Sequence, residues 1–115
     1  MSREVVFAPE AQADLFQLYD YIAADSGTAR AQRYTDRIVA HCLGLVNFPD
    51  RGRRRDDLWP GLRTTAFRRR VTIAFHITEM TVTIDRVLYG GRDLKPMFDD
   101  ENAERSEQPV DSTAQ

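Results

Sequence analysis

The chain has 115 residues, of which 42% are hydrophobic, 30% charged and 10% aromatic, with a formal net charge of −2. That balance suits one soluble globular domain able to bury a core without disulfide or metal staples, and it excludes collagen-like and fully disordered classes. No run approaches the ~18 apolar residues of a membrane span, the start Met1-Ser2-Arg3-Glu4 leads into no signal-peptide core, and the single cysteine, Cys42, excludes an internal disulfide, so the expected compartment is the cytoplasm.

Arg3 to Phe7, with Val5-Val6 before an aromatic, predicts a short strand. Ala8-Pro9-Glu10 then opens a helix, because proline fits a first turn that needs no N–H and Glu10 suits the positive end of the dipole. Ala11, Leu15, Leu18 and Ile22 form one helical face, broadened by Phe16 and Tyr19, while Asp14, Gln17, Asp20 and Tyr21 are assigned elsewhere. Gly27 is expected to end this helix and Thr28 to cap the next. The second helix is predicted from about Ala29 to about Phe48 (Pro49 stops it). Its apolar face is Ala31, Tyr34, Ile38, Cys42 and Leu45, and Arg30, Arg33 and Arg37 lie on the polar side. Two such helices with so short a link make an antiparallel αα-hairpin.

Residues 50–61 read as a solvated loop, in which Arg53-Arg54-Arg55 is partly neutralised by the adjoining Asp56-Asp57. Beyond it the apolar period becomes two: a short run Leu62 to Phe67, then Val71, Ile73, Phe75 and Ile77, then Met80, Val82 and Ile84. We read three antiparallel strands, with a tight turn near Thr78-Glu79 and a bulge or change of buried face at Arg86-Val87-Leu88. Alternation along the central strand sends Arg69 to one face and Arg68 and Arg70 to the other. The predicted architecture is α+β, β-α-α-β-β-β. An N-terminal strand and helical hairpin pack on a small antiparallel sheet in a domain over residues 1–98, followed by a disordered acidic tail over residues 99–115.

Charge is segregated along this plan. Residues 1–29 hold one base against five acids, residues 30–92 hold thirteen arginines against six acids, and residues 93–115 hold two bases against seven acids. Fifteen of the sixteen bases are arginine, whose planar fork grips carboxylate or phosphate, so the middle of the chain is suited to an anionic partner. Trp59 beside Pro60 is either a lid on the core or, with Arg63, an interface anchor. Arg68-Arg69-Arg70 is either a solvated turn or an anion contact. Cys42 reads as inert packing, and His76 as a strand residue on the polar side. Cysteine and the two histidines lack ligand spacing, so neither a metal nor a cofactor is expected.

Several pieces of this sequence, in this order, resemble the ParE branch of the RelE/ParE toxin superfamily. They are Phe7-Ala8-Pro9-Glu10-Ala11 with Asp14-Leu15 and Tyr19 to Ile22, then Leu45 to Pro49 with Gly52-Arg53. Pro60 to Arg63 follow, and then the strand Val71 to Ile77 and the closing Ile84 to Asp93. The resemblance implies a toxin of a type II toxin–antitoxin system, tied to plasmid stabilisation and stress response. It also implies inhibition of DNA gyrase by protein contact, neutralisation by a ParD-like antitoxin, and contact with DNA only through the toxin–antitoxin complex.

The expected partner-contact residues are Trp59, Arg63, Arg68, Arg69, Arg70 and Arg92. The alternative implied by the sister branch is a ribosome-dependent mRNA endonuclease, for which Arg63, Arg86, Tyr89 and Arg92 would hold the phosphate and move the proton. A degenerate toxin active only in antitoxin binding and operon autoregulation is the third reading. The acidic tail departs from the family pattern. It reads as solvated, with a fold-back of Asp99-Asp100-Glu101 onto the basic surface as the other possibility.

Overall fold

A computed structural model describes residues 3–48 and 50–90. Strand β1 (Glu4–Phe7) leads into helix α1 (Pro9–Ser26), and helix α2 (Thr28–Gly44) returns antiparallel to it. Strands β2 (Arg53–Arg54), β3 (Arg63–Phe67), β4 (Val71–Ile77) and β5 (Thr81–Tyr89) complete a five-stranded sheet of order β1-β5-β4-β3-β2. The α+β plan expected from the sequence is therefore present, with two additions.

First, the sheet is mixed rather than wholly antiparallel. β1 pairs parallel to β5, with Val5 beside Val82 and Phe7 beside Ile84. No hairpin joins these strands. The whole helical pair and meander intervene, and so long a crossover is what parallel pairing requires. Second, the expected loop contains β2, where Arg53 pairs with Thr64. Gly52 allows that approach at φ +89, since a Cβ there would lie 2.4 Å from the Thr64 carbonyl oxygen.

The helices cover one face of the sheet. Ala11, Leu18, Ile38, Cys42 and Leu45 bury against Phe67, Val71, Ile73, Phe75, Val82, Ile84 and Val87. A smaller cluster (Leu58, Leu62, Ala74 and Leu88) covers the other face beneath a half-buried Trp59. Helix α2 begins at Thr28 itself. Gly27, at φ +95, is the residue between the two helices, and Thr28 makes no side-chain cap. The predicted end at Phe48 becomes Gly44, because the winding tightens there into i→i+3 bonds from Leu45 to Phe48.

The β3–β4 connection corrects the strand reading of the triple arginine. Arg68 and Arg69 both sit at positive φ, +53 and +63, so Arg68 to Arg70 form the turn and do not alternate between faces. At the next turn Met80 leaves the strand pattern and is exposed. The turn holds without glycine because the Thr78 hydroxyl accepts the Thr81 N–H at 2.9 Å. The irregularity of β5 is one residue earlier than expected: Ala74 faces Arg86 and Phe75 faces Ile84, so Asp85 is the bulged residue.

Helix α1 also departs from its predicted faces. Phe16 is 72% exposed, whereas Asp14 is buried. Its carboxylate takes both Nε and Nη2 of Arg86, at 2.8 and 3.0 Å, and the Val87 N–H at 2.9 Å. β1 stops pairing at Ile84, so Val87 has no strand neighbour on that side, and Asp14 supplies the missing acceptor.

Removing that carboxylate takes the fork partner from Arg86 and the acceptor from a buried N–H. Asp14→Ala is expected to lower unfolding free energy by ~3–5 kcal/mol in urea titration; a change below ~1 kcal/mol would show that the contact is dispensable.

His41, in the last turn of α2, lies edge-on to Phe67, with ring centroids 5.6 Å apart and a buried Nε2 that has no hydrogen-bond partner among the described residues. Burial, and then the charge of Arg51, lower its pKa below the ordinary value. The folded protein therefore resists protonating His41 more than the unfolded chain does. This residue's contribution to stability is intact above pH ~6.5 and declines as pH falls below it. We expect His41→Gln to lose less stability than the parent between pH ~7.5 and ~5.5 in paired urea titrations. Parallel pH dependence of the two proteins would contradict this.

Candidate partner interface: an arginine-lined cleft

The i, i+3, i+7 spacing of Arg30, Arg33 and Arg37 puts their side chains on one face of α2. That face meets the β3–β4 turn. Together with Arg68 and Arg70 from the turn, Tyr89 from β5, and Tyr21 and Asp25 from the end of α1, it bounds an open cleft of 660 Å3. Five guanidinium groups thus converge on a space with one carboxylate in its lining. Among the described residues, none of the five has an ion-pair partner.

Aromatic rings set the floor and one wall. Tyr21 and Tyr89 lie 6.1 Å apart, Tyr34 stands edge-on to Phe67 at 5.8 Å, and the Arg68 guanidinium sits 5.3 Å over the Phe67 ring. Burial, and then the neighbouring Tyr89, push the Tyr34 hydroxyl above its ordinary pKa, so it stays a neutral donor. The cleft continues into a smaller hollow of 290 Å3 bounded by Tyr21, Tyr89 and Val87, which ends at Asp14.

The residues singled out from the sequence are dispersed by the fold. Arg68 and Arg70 line the cleft, and Arg69 is exposed at the turn. Arg63 is at the opposite end of β3, opposite Phe75 in register. Its Nη1 donates to the Asp50 carbonyl at 3.0 Å, and its Nη2 is 3.7 Å from the Asp50 carboxylate. Trp59 packs on the other face of the sheet, with its ring 5.5 Å from His76, whose Nδ1 is 2.7 Å from the Asp85 carboxylate. Trp59 and Arg63 are therefore on different faces. Of the set named for RNA cleavage, Tyr89 is in the cleft, Arg86 is bound to Asp14, and Arg63 is bound to Asp50. Arg92 lies outside the described residues.

The cation pairs of the β2 loop are local, as the sequence suggested: Arg54 with Asp56 at 3.1 Å and Arg55 with Asp57 at 2.9 Å. Cys42 is buried, and burial pushes its thiol up to about 12. Among the described residues, no group of three or more His, Cys, Asp or Glu is placed to hold a metal ion, and no helix is long and apolar enough to cross a membrane.

Sequence reasoning placed Arg30, Arg33 and Arg37 together but left them out of the site. Their spacing fixes a helix face, and only the return of β3–β4 beside α2 makes that face a wall. Asp14 was legible in principle. It falls three residues after Ala11 and four before Leu18, inside the buried stripe.

The chain matches the family described as ParE toxin of type II toxin-antitoxin system, parDE, over residues 5–94. Its fold is similar to a chain of the chromosomal ParDE toxin–antitoxin system from P. aeruginosa. That likeness has a TM-score of 0.68 at 23% identity and covers 77% of this chain and 97% of the other. It is also similar to a chain of the toxin–antitoxin complex RelBE2 from Mycobacterium tuberculosis, with a TM-score of 0.58 at 21% identity, covering 80% and 95%. No curated protein matches the chain.

Two consecutive arginines at positive φ store strain that asparagine and glycine would not, roughly 1 kcal/mol per residue. Replacing Arg68→Asn together with Arg69→Gly should raise stability by ~1–2 kcal/mol in urea titration while removing one charge from the cleft. A loss of stability would mean that the Arg68–Phe67 contact outweighs the backbone strain.

Proposed function

The chain belongs to the ParE toxin family of type II toxin–antitoxin systems, and on that footing we propose that it works in the cytoplasm by inhibiting DNA gyrase through protein contact. A ParD-like antitoxin holds it silent, and it meets DNA only through the complex with that antitoxin. The observation that carries this reading is the arginine cleft. Five guanidinium groups with one carboxylate in their shared lining and no ion pair among the described residues, around tyrosine rings, make a surface suited to gripping an acidic protein segment. Arginine and tyrosine are also the residue types that dominate binding at protein interfaces.

The antitoxin has a separate surface to use. β1 is an edge strand, and beside it runs a groove of 520 Å3 along Glu4 to Phe7. Gln12, Leu15 and Val39 border this groove and also a second one of 510 Å3 on the outer side of the helical pair, where Phe16 is exposed. An extended segment can add to the strand edge, and an amphipathic helix can fill the apolar groove. In this reading Arg68, Arg69, Arg70 and Arg92 contact the target, Trp59 contributes on the face of the sheet away from the helices, and Arg63 contributes at the other end of β3.

Gyrase supercoiling in vitro tests the proposal. The purified toxin should inhibit it, and the triple variant Arg30→Gln, Arg33→Gln, Arg37→Gln should need at least ~10-fold more protein for the same effect, since loss of a desolvated charge contact costs ~2 kcal/mol or more. Unimpaired supercoiling with cleavage of mRNA on translating ribosomes would overturn it in favour of the endonuclease, and neither effect would leave antitoxin binding and autoregulation as the role.

A further inference from the structure

The cleft opens where the described chain ends, and the sequence beyond is acidic. Tyr89 is part of the lining, and the next residue, Gly90, donates its N–H to the Arg70 carbonyl at 2.9 Å. Residues 93–115 carry two bases against seven acids, with Asp99, Asp100, Glu101 and Glu104 close together. We propose that the acidic segment 99–104 occupies the arginine cleft in cis, as an electrostatic cover that an acidic partner must displace.

Three observations converge on this occupant. The first is charge: four carboxylates are offered to five guanidinium groups that lack acidic partners among the described residues. A carboxylate matches the guanidinium fork in shape as well as sign. The second is reach. Nine residues lead from Gly90 to Asp99, an extended span of up to ~30 Å, and the tether begins at Arg70 itself. The third is concentration. A short tether holds the segment at an effective level of order mM, so it outcompetes dilute free anions even though each exposed pair contributes only ~0–1 kcal/mol. Such a cover weakens as salt rises and yields to a partner that adds apolar contacts to the tyrosine rings. The inference does not depend on the identity of the target, so its test can fail while the gyrase reading stands, and the reverse.

Paramagnetic relaxation in the full-length protein tests it. A nitroxide is attached at Ser106→Cys; Cys42 is buried with its thiol raised to about 12, so the introduced thiol is the one that reacts. At low salt, about 25 mM NaCl, the amide signals of Arg30, Arg33, Arg68 and Arg70 should fall by at least about half while those of Trp59 and Thr64 hold, and the effect should vanish at about 500 mM NaCl. Neutralising the segment by Asp99→Asn, Asp100→Asn, Glu101→Gln and Glu104→Gln should abolish it at low salt as well. No attenuation at low salt, equal attenuation on both faces of the sheet, or attenuation that survives neutralisation would each overturn the proposal.

Discussion

The carboxylate of Asp14 joins the two halves of the molecule. Strand β5 runs past the end of β1, and beyond that point its edge must find other partners. Asp14 reaches back from the second turn of α1, accepts the Val87 N–H, and has its own charge balanced by the fork of Arg86. A buried ion pair is a poor source of net stability, because desolvation offsets most of the attraction. What this one contributes is position. Apolar contacts between α1 and the sheet tolerate sliding, whereas a carboxylate bonded to three N–H groups at 2.8–3.0 Å fixes the height and rotation of the helix on β5.

The arrangement of the cleft follows from that placement. α2 is tied to α1 through Gly27, so fixing α1 on β5 also fixes where the arginine face of α2 lies. The β3–β4 turn brings Arg68 and Arg70 to the same place from the sheet side. A positive field from one element alone would be a solvated helix face. Two elements facing each other make a concave surface in which the charges reinforce and water is partly excluded. The strained backbone at Arg68 and Arg69 belongs to the same pattern. Glycine or asparagine would close that turn at lower energy, so Arg68 trades stability for charge in the cleft, and Arg69 is exposed beside it.

Local structure was legible in the sequence wherever one segment decided it. The helical hairpin, the period-two strands β4 and β5 and the turn near Thr78 all follow from spacing and side-chain type. Features set by two distant segments were not. The parallel pairing of β1 leaves no local mark, and β2 is two residues of arginine paired to a strand ten positions on. Arg68 and Arg69 read as strand because nothing in an arginine announces positive φ. The arginine stripe of α2 was visible, but its facing wall comes from residues more than thirty positions later. Trp59 and Arg63 pair in the sequence as residue types that anchor interfaces, but strand alternation puts them on different faces.

Native-state hydrogen exchange at the Val87 amide measures the clasp where it acts. If Asp14 holds α1 to β5 as described, Val87 exchanges only through global unfolding, with a protection free energy within ~0.5 kcal/mol of that measured by urea titration. Exchange of Val87 at the rate of an open strand edge, while the neighbouring core amides stay protected, would contradict the account.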